Sequence, residues 1–415
     1  MTRRISSNLN NSMTQSQLRV QEALKNKANN QIASQRRIQE LRDDPIAAGH
    51  LVRYQSYVTR VENFEKNAQT LVDEFSFRES YLSSSLDVMH RIRELAVTGA
   101  HGIYNRDDLA NMATEVDELL KELIQNANAV GADGNSLFAG TNIKTTAFDI
   151  ELGNVPGSGI PLISSVRYNG NIDVNDIEVN ERQYLTVDNA GNRTFWAEHQ
   201  QLFSERDASG WRAGTDSVIR VDGVDITVTS GDNVYALVAK INDSGAAVRA
   251  SIDPVTNGLN LQTTDARQLW LQDVTGSALA DLGIIKDTSQ QPPYNIGTGV
   301  RVSGGSLFDT VIAFRDALLA GDQEAIGGRV LGSLDRGISN LTTRVAKLGS
   351  DYERAGLNVT RNGATALNTT KFISEEGDLD FTKAVTDMKM LDYTYQATLH
   401  TAANLYQTTL LNFLR

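Results

Sequence analysis

DPIAAGHLVRYQSYVTRVENFEKNAQTLVDEFSFRESYLSSSLDVMHRIRELAVTG, residues 44–99, is the stretch whose reading decides the fold. Asp44 reads as a helix N-cap and Pro45 as the first helical residue: a capping carboxylate satisfies a free backbone amide, and proline lacks the amide that would go unpaired there. From that start a strict 3-4 spacing runs Leu51, Tyr54, Val58, Val61, Glu65, Ala68, Val72, Phe75, Glu79, Leu82, Leu86, Met89, Arg93, Ala96, and only Glu65, Glu79 and Arg93 are charged. Such a heptad run predicts a coiled-coil-like helix, and about 50 residues at ~1.5 Å each give a rod of roughly 75 to 80 Å. Phe64, Leu71 and Ile92 flank the seam and widen it, which suits a bundle of several helices better than an isolated pair.

Working outward, Gly99, Gly102 and Asn105 interrupt the pattern, and a second helix follows with Leu109, Met112, Val116, Leu119, Leu123, Ala127 and Val130 on one face. The two are expected to fold back as a hairpin. Beyond them the texture changes. Alternating stretches such as Val166-Arg167-Tyr168, Tyr184 to Val187 and Val218 to Val221 lie between Asn-Gly, Asp-Gly and Gly-Asn turns, with a short helix around Asn233 to Asn242. Helical spacing resumes at Leu307, Val311, Phe314 and Leu318 and pauses at Gly321-Asp322. It returns as Leu334, Ile338, Leu341, Val345, Leu348, Tyr352, Ala355 and Val359; Gly327, Gly328, Gly332 and Gly337 weaken the start of that run.

The expected fold class is therefore α+β and multidomain, a long antiparallel helical bundle of N- and C-terminal segments with a β-rich insert. Residues 1–42 form an N-terminal assembly helix expected to be disordered in the monomer, and residues 43–140 the first half of the rod. Residues 141–302 form the insert, 303–374 the second half of the rod, and 375–415 a C-terminal assembly helix.

Two apolar strips mark the ends. Ile5, Leu9, Met13, Val20 and Leu24 fall within one roughly 100° sector of a helix. Met388, Leu391, Tyr395, Leu399, Ala402, Tyr406, Leu410 and Phe413 recur at a spacing close to that of a helix. The N-terminal strip is sparse and marginal alone, whereas the C-terminal one is dense enough to need a partner. Either each strip packs on its own subunit or the strips join subunits. Polar segments (26–45 and 360–380) separate both from the bundle helices, which favours the second alternative.

Composition bounds the function. The formal charge of -12 argues against nucleic-acid binding, although residues 1–42 hold eight basic groups against two acidic ones. No apolar run is long enough to span a bilayer, so no membrane partner is expected. The absence of cysteine excludes disulfides, thiolate catalysis and cysteine-held metal. His50, His90, His101, His199 and His400 make no metal-ligand spacing, and the insert's Asp222, Asp225, Asp232 and Asp243 have no calcium-loop spacing. Asp43 and Asp44 are adjacent and point to different faces, which disfavours a paired catalytic role. Neither cofactor nor metal is expected, and the chain reads as a structural protein, not an enzyme.

Three segments resemble, in the right order, stretches of the flagellin family of axial proteins, most of all its junction-type hook-associated members. They are QIASQRRIQELRDDPIAA (31–48), GNSLFAGTNIKTTAF (134–148) and LDFTKAVTDMKMLDYTYQATLHTAANLYQTTLLNFLR (379–415). Gln35, Arg42 and Ala147 stand where the family usually has glycine, serine and proline, so the turn before the rod is expected to differ. Within the insert, VIRVDGVDITV (218–228) and LVAKINDSGAAVRAS (237–251) resemble a small repeat of flagellins and hook proteins, reaching to about residue 285 and with Ile241-Asn242 in place. The resemblance implies export through the flagellar type III channel without a cleaved signal, and a place in the flagellum, extracellular or, for an internal flagellum, periplasmic. It implies an adaptor at the hook-filament junction whose partners are hook-associated protein 1, flagellin, lateral copies of itself and an export chaperone that covers the C-terminal strip. Flagellin proper is the near alternative, and a helical stalk displaying a carbohydrate-binding β module the distant one.

Overall fold

The computed structural model describes residues 7–286 and 290–413, with side chains described from 12 to 404 within those spans. The helical start comprises α1 (Ser7–Ser34), α2 (Pro45–Gly99) and α3 (Arg106–Ala127). Strands β1 (Phe148–Asn154), β2 (Pro161–Tyr168), β3 (Asn175–Asn180) and β4 (Gln183–Val187) follow, then α4 (Gly191–Thr194) and β5 (Gln201–Ser204). Next come β6 (Ser217–Val221), β7 (Val224–Val228), α5 (Val234–Asp243), β8 (Val248–Ile252), β9 (Leu259–Thr263), β10 (Leu271–Thr275), α6 (Ala278–Asp281) and β11 (Val300–Ser303). The chain returns to helix in α7 (Leu307–Ala320), α8 (Gln323–Ala325), a π-helical turn (Ile326–Val330), α9 (Leu331–Gly377) and α10 (Phe381–Phe413). The protein is α+β, with long helices at both ends and antiparallel sheets between them.

Two compact units share these elements: Met1–Lys66 with Asn358–Arg415, and Asn67–Leu357. The chain passes from one to the other inside α2 and inside α9.

In the larger unit, α2 and α3 run antiparallel, tied by Arg91 to Glu115 at 2.7 Å and by Asn126 to Ser84 at 3.0 Å. Asn105 and Asp108 close a reciprocal capping box that starts α3. The helix ends at Ala127, so Val130 leaves the face the spacing gave it and is exposed. Of the two heptad columns read along α2, one is buried: Val61, Ala68, Phe75, Leu82, Met89 and Ala96. The other, Leu51 through Glu65 and Glu79 to Arg93, is half-exposed along its length. Its place in the core is taken by Leu71, Arg78, Ser85 and Ile92. The half-exposed column and the one that replaces it lie one residue step apart, about 100° on the helix. The three charges in the half-exposed column mark it as the wetter one, while Arg78 and Ser85 disguise the buried one.

The aromatic centre of this core joins helices to insert. Phe138 meets Phe195 edge-on at 5.1 Å, and Phe148 lies 5.0 Å from Phe308 and 5.2 Å from Tyr168. The segment between Phe138 and Phe148 turns tightly enough that a Cβ on Gly140, at φ 69°, would collide with Asn171. Only glycine adopts that conformation in that space. Arg315 of α7, with no exposed surface, donates to Asp117 at 2.8 Å and to Asp316 at 2.8 Å. Ser306 and Asp309 start α7 with a capping box, and left-handed Gly321 ends it. The glycines after it coincide with the π-turn, and a Cβ on Gly337 would collide with Leu307, so that glycine trades helix propensity for close packing.

The insert's second core lies between the sheets β10-β6-β7 and β11-β5-β9-β8. Asp222 and Gly223, both at positive φ, make the two-residue turn of the β6-β7 hairpin. Helix α5, capped by Asn233, buries Leu237 and Ile241 in that core. Asn242 donates to the Ala250 carbonyl at 3.0 Å and accepts from the Ala250 amide at 2.8 Å, locking α5 to β8. An adjacent isoleucine and asparagine thus supply core and clamp from one helix end.

Candidate assembly surface

The smaller unit contains the terminal helices. Its geometry begins with the segment QRRIQELRDDP (35–45). Gln35 has φ 55°, the left-handed conformation that ends α1. The turn is therefore the one a glycine would make, adopted by a residue that pays ~1–2 kcal/mol for it. The expected difference in the turn reduces to this strain. Beyond it the chain pairs with the α9-α10 connection: Arg37 N–H donates to the Gly377 carbonyl at 2.8 Å and Leu379 N–H to the Gln35 carbonyl at 3.0 Å. The Arg37 guanidinium spans the Glu376 carbonyl, at 2.8 Å, and Asp44, at 3.2 Å.

The two adjacent aspartates have separate tasks. Asp43 accepts from Lys27 at 2.7 Å and from the amides of Gln39 and Glu40 at 3.1 and 3.2 Å, fixing the loop to α1. Lys27 first, and then those amides, hold the Asp43 carboxyl at about 2, below its ordinary 3.8. Asp44 accepts from the Ala47 amide at 3.1 Å at the start of α2, with Pro45 as the first helical residue, and this amide and Arg37 lower its pKa too. Further along, His50 lies 3.0 Å from Glu376, and the rings of Tyr54 and Phe372 are 6.1 Å apart, so the start of α2 runs antiparallel to the end of α9.

Helices α1 and α10 also pair antiparallel. Lys25 Nζ lies 2.7 Å from Asp392 and 5.6 Å over the Tyr395 ring. Among the half-buried positions of α1, Thr14, Leu18, Gln21, Lys25, Ala28 and Ile32 recur at 4-3 spacing, and Lys25 among them identifies the side turned to α10. Met13, Val20 and Leu24 are on other sides and are 61, 55 and 44% exposed. On α10, Met388, Leu391 and Tyr395 are half-buried, Ala402 is buried and Leu399 is 42% exposed. Ile5 and the side chains of Leu9, Tyr406, Leu410 and Phe413 lie outside the described residues. Phe381, Met390 and Tyr393, which helical spacing did not place in the strip, are exposed as well. Their signal was available as aromatic and sulfur-bearing residues off the dense stripe.

Among the described residues no group of three or more histidine, cysteine or carboxylate side chains is placed to hold a metal, and no helix is long and apolar enough to cross a membrane.

Residues 5–143 match the model of the bacterial flagellin N-terminal helical region, and residues 213–265 that of the flagellin hook IN motif. The flagellar filament 31.3 kDa core protein of Treponema maltophilum is 27% identical over 124 residues, 30% of this chain and 43% of that protein. Flagellar hook-associated protein 3 of Escherichia coli is 28% identical over 127 residues, 31% of this chain and 40% of that protein. The chain thus spans about two-fifths of the length of these relatives. A crystal structure of flagellar hook associated protein-3 from Legionella pneumophila aligns with 78% of this chain and 97% of its own, at 14% identity and a TM-score of 0.47. The two matched segments cover most of the helical start and part of the insert, and the second of them contains Ile241 and Asn242, which make the core contact and the clamp described above.

Proposed function

We propose that this chain is a structural subunit of the bacterial flagellum and serves as the adaptor at the hook-filament junction, joining hook-associated protein 1 below to flagellin above. The observation that supports it most is the exposed apolar set on the terminal helices, Met13, Val20, Leu24 and Leu399 with Phe381, Met390 and Tyr393. An apolar surface on helices of a flagellin-type chain calls for burial against other subunits. In this reading the terminal segments, residues 1–42 and 375–415, gain their lasting order on assembly, when burial offsets the entropy of fixing them. Before assembly an export chaperone covers the C-terminal strip, and lateral copies complete a ring. The insert faces outward, the protein works outside the export channel, and it catalyses nothing.

The test is assembly itself. Purified chain added to isolated hooks should bind their tips only when hook-associated protein 1 is present, and should then support growth of flagellin. Electron microscopy of the chain alone should show no long filaments. The similarity to filament core proteins favours a second reading, flagellin proper, and long homopolymers would establish that reading instead.

A further inference from the structure

A small cavity of about 50 Å³ lies among α2, α9 and the segment after β4, within the larger unit. Three cations line it: Arg78 of α2, and Arg344 and Lys347 of α9. Arg78 is 3% exposed and sits over the Phe75 ring at 5.9 Å. Both arginines have a carboxylate partner, Glu74 for Arg78 and Asp265 for Arg344 at 3.2 Å, yet the Nε of each is buried without an acceptor. Lys347 has no ion partner among the described residues. Two carboxylates also line the cavity: Asp188, which pairs with Arg193 at 3.1 Å and whose charge also acts on Arg78 and Arg344, and Asp351, which pairs with Arg354 at 3.5 Å. The wall therefore has two buried N–H donors that lack acceptors, which costs free energy until an acceptor enters, beside the exposed ammonium of Lys347. Burial, the largest influence on both, lowers the pKa of Arg78 and of Arg344 against the opposing charges of Glu74, Asp265 and Asp188.

We propose that this cavity is a binding site for a small inorganic oxyanion of the phosphate class, held by Arg78, Arg344 and Lys347. Size supports the class: at ~10–15 Å³ per water the cavity admits about three to five waters, comparable with the four oxygens of one tetrahedral anion. Chemistry supports it too, since guanidinium groups match oxyanions through several directed hydrogen bonds while an ammonium contributes charge. The anion would join α2 and α9 to the start of the insert and so stabilise the larger unit by mass action.

Calorimetric titration of the full-length chain with potassium phosphate at neutral pH, and thermal unfolding in phosphate against potassium chloride of equal ionic strength, test this. Saturable binding of one phosphate and a rise in Tm absent from chloride are expected. Lys347→Met, at an exposed position, should weaken phosphate binding about tenfold or more with the circular dichroism spectrum unchanged, and Lys347→Arg should restore it. Equal effects of phosphate and chloride, or undiminished binding by Lys347→Met, would overturn the assignment.

Discussion

The part of α2 in the larger unit and the whole of α1 are amphipathic helices that treat their apolar residues in opposite ways. In the first, Ala68, Leu71, Met89, Ile92 and Ala96 have no exposed surface. In the second, the side turned to α10 is only half apolar, with Gln21 and Lys25 at its centre, and Met13, Val20 and Leu24 face away from it. A helix that finds its partner within its own unit hides its apolar side. One that leaves that side bare has apolar surface still to bury, and a thinly apolar intramolecular contact is cheap to rearrange.

Substitutions can break or sharpen this contrast. Phe308→Ala removes a ring from the aromatic centre of the larger unit and should cost about 3–5 kcal/mol, read from denaturant unfolding of the full chain. Gln35→Gly should stabilise the smaller unit by about 1 kcal/mol, because glycine adopts the left-handed turn without strain; slower hydrogen exchange at Arg37 and Leu379 would report it. Leu399→Asp should change monomer unfolding by no more than about 0.5 kcal/mol, as expected for an exposed site, while abolishing addition to hooks. A loss of monomer stability comparable with that of Phe308→Ala would erase the contrast.

The smallest effect is in the acid range. Asp43 titrates at about 2 in the fold and near 3.8 without its partners, so its contribution to the loop is complete above pH 4 and is lost as pH falls towards 2. Carboxyl NMR shifts should show that low midpoint, and Lys27→Met should move it up towards the ordinary value.

Much of the architecture was legible in the chain. Seam spacing and the Asp44-Pro45 start gave α2, apolar spacing gave α3 and α7, and alternation with Asp-Gly gave the β6-β7 hairpin. The assembly surface was legible only in part. Met13, Val20 and Leu24 stood in an apolar sector, but Met390 and Tyr393, off the dense stripe of α10, are more exposed than Leu399 within it. Spacing finds the side of a helix that is apolar; it does not say which neighbour that side meets. Arg315 and Asp117 were likewise invisible as a buried pair, since 198 residues separate them and each alone reads as surface.

The sequence by itself determined where the long helices and the β6-β7 turn lie, because caps, periodicity and turn residues act within a few positions along the chain. Only the tertiary structure decided which column of α2 enters the core, which charges are buried, and which apolar residues are left bare. Those outcomes depend on neighbours far apart in sequence, whose packing outweighs the one-residue rotation that separates one helix face from the next.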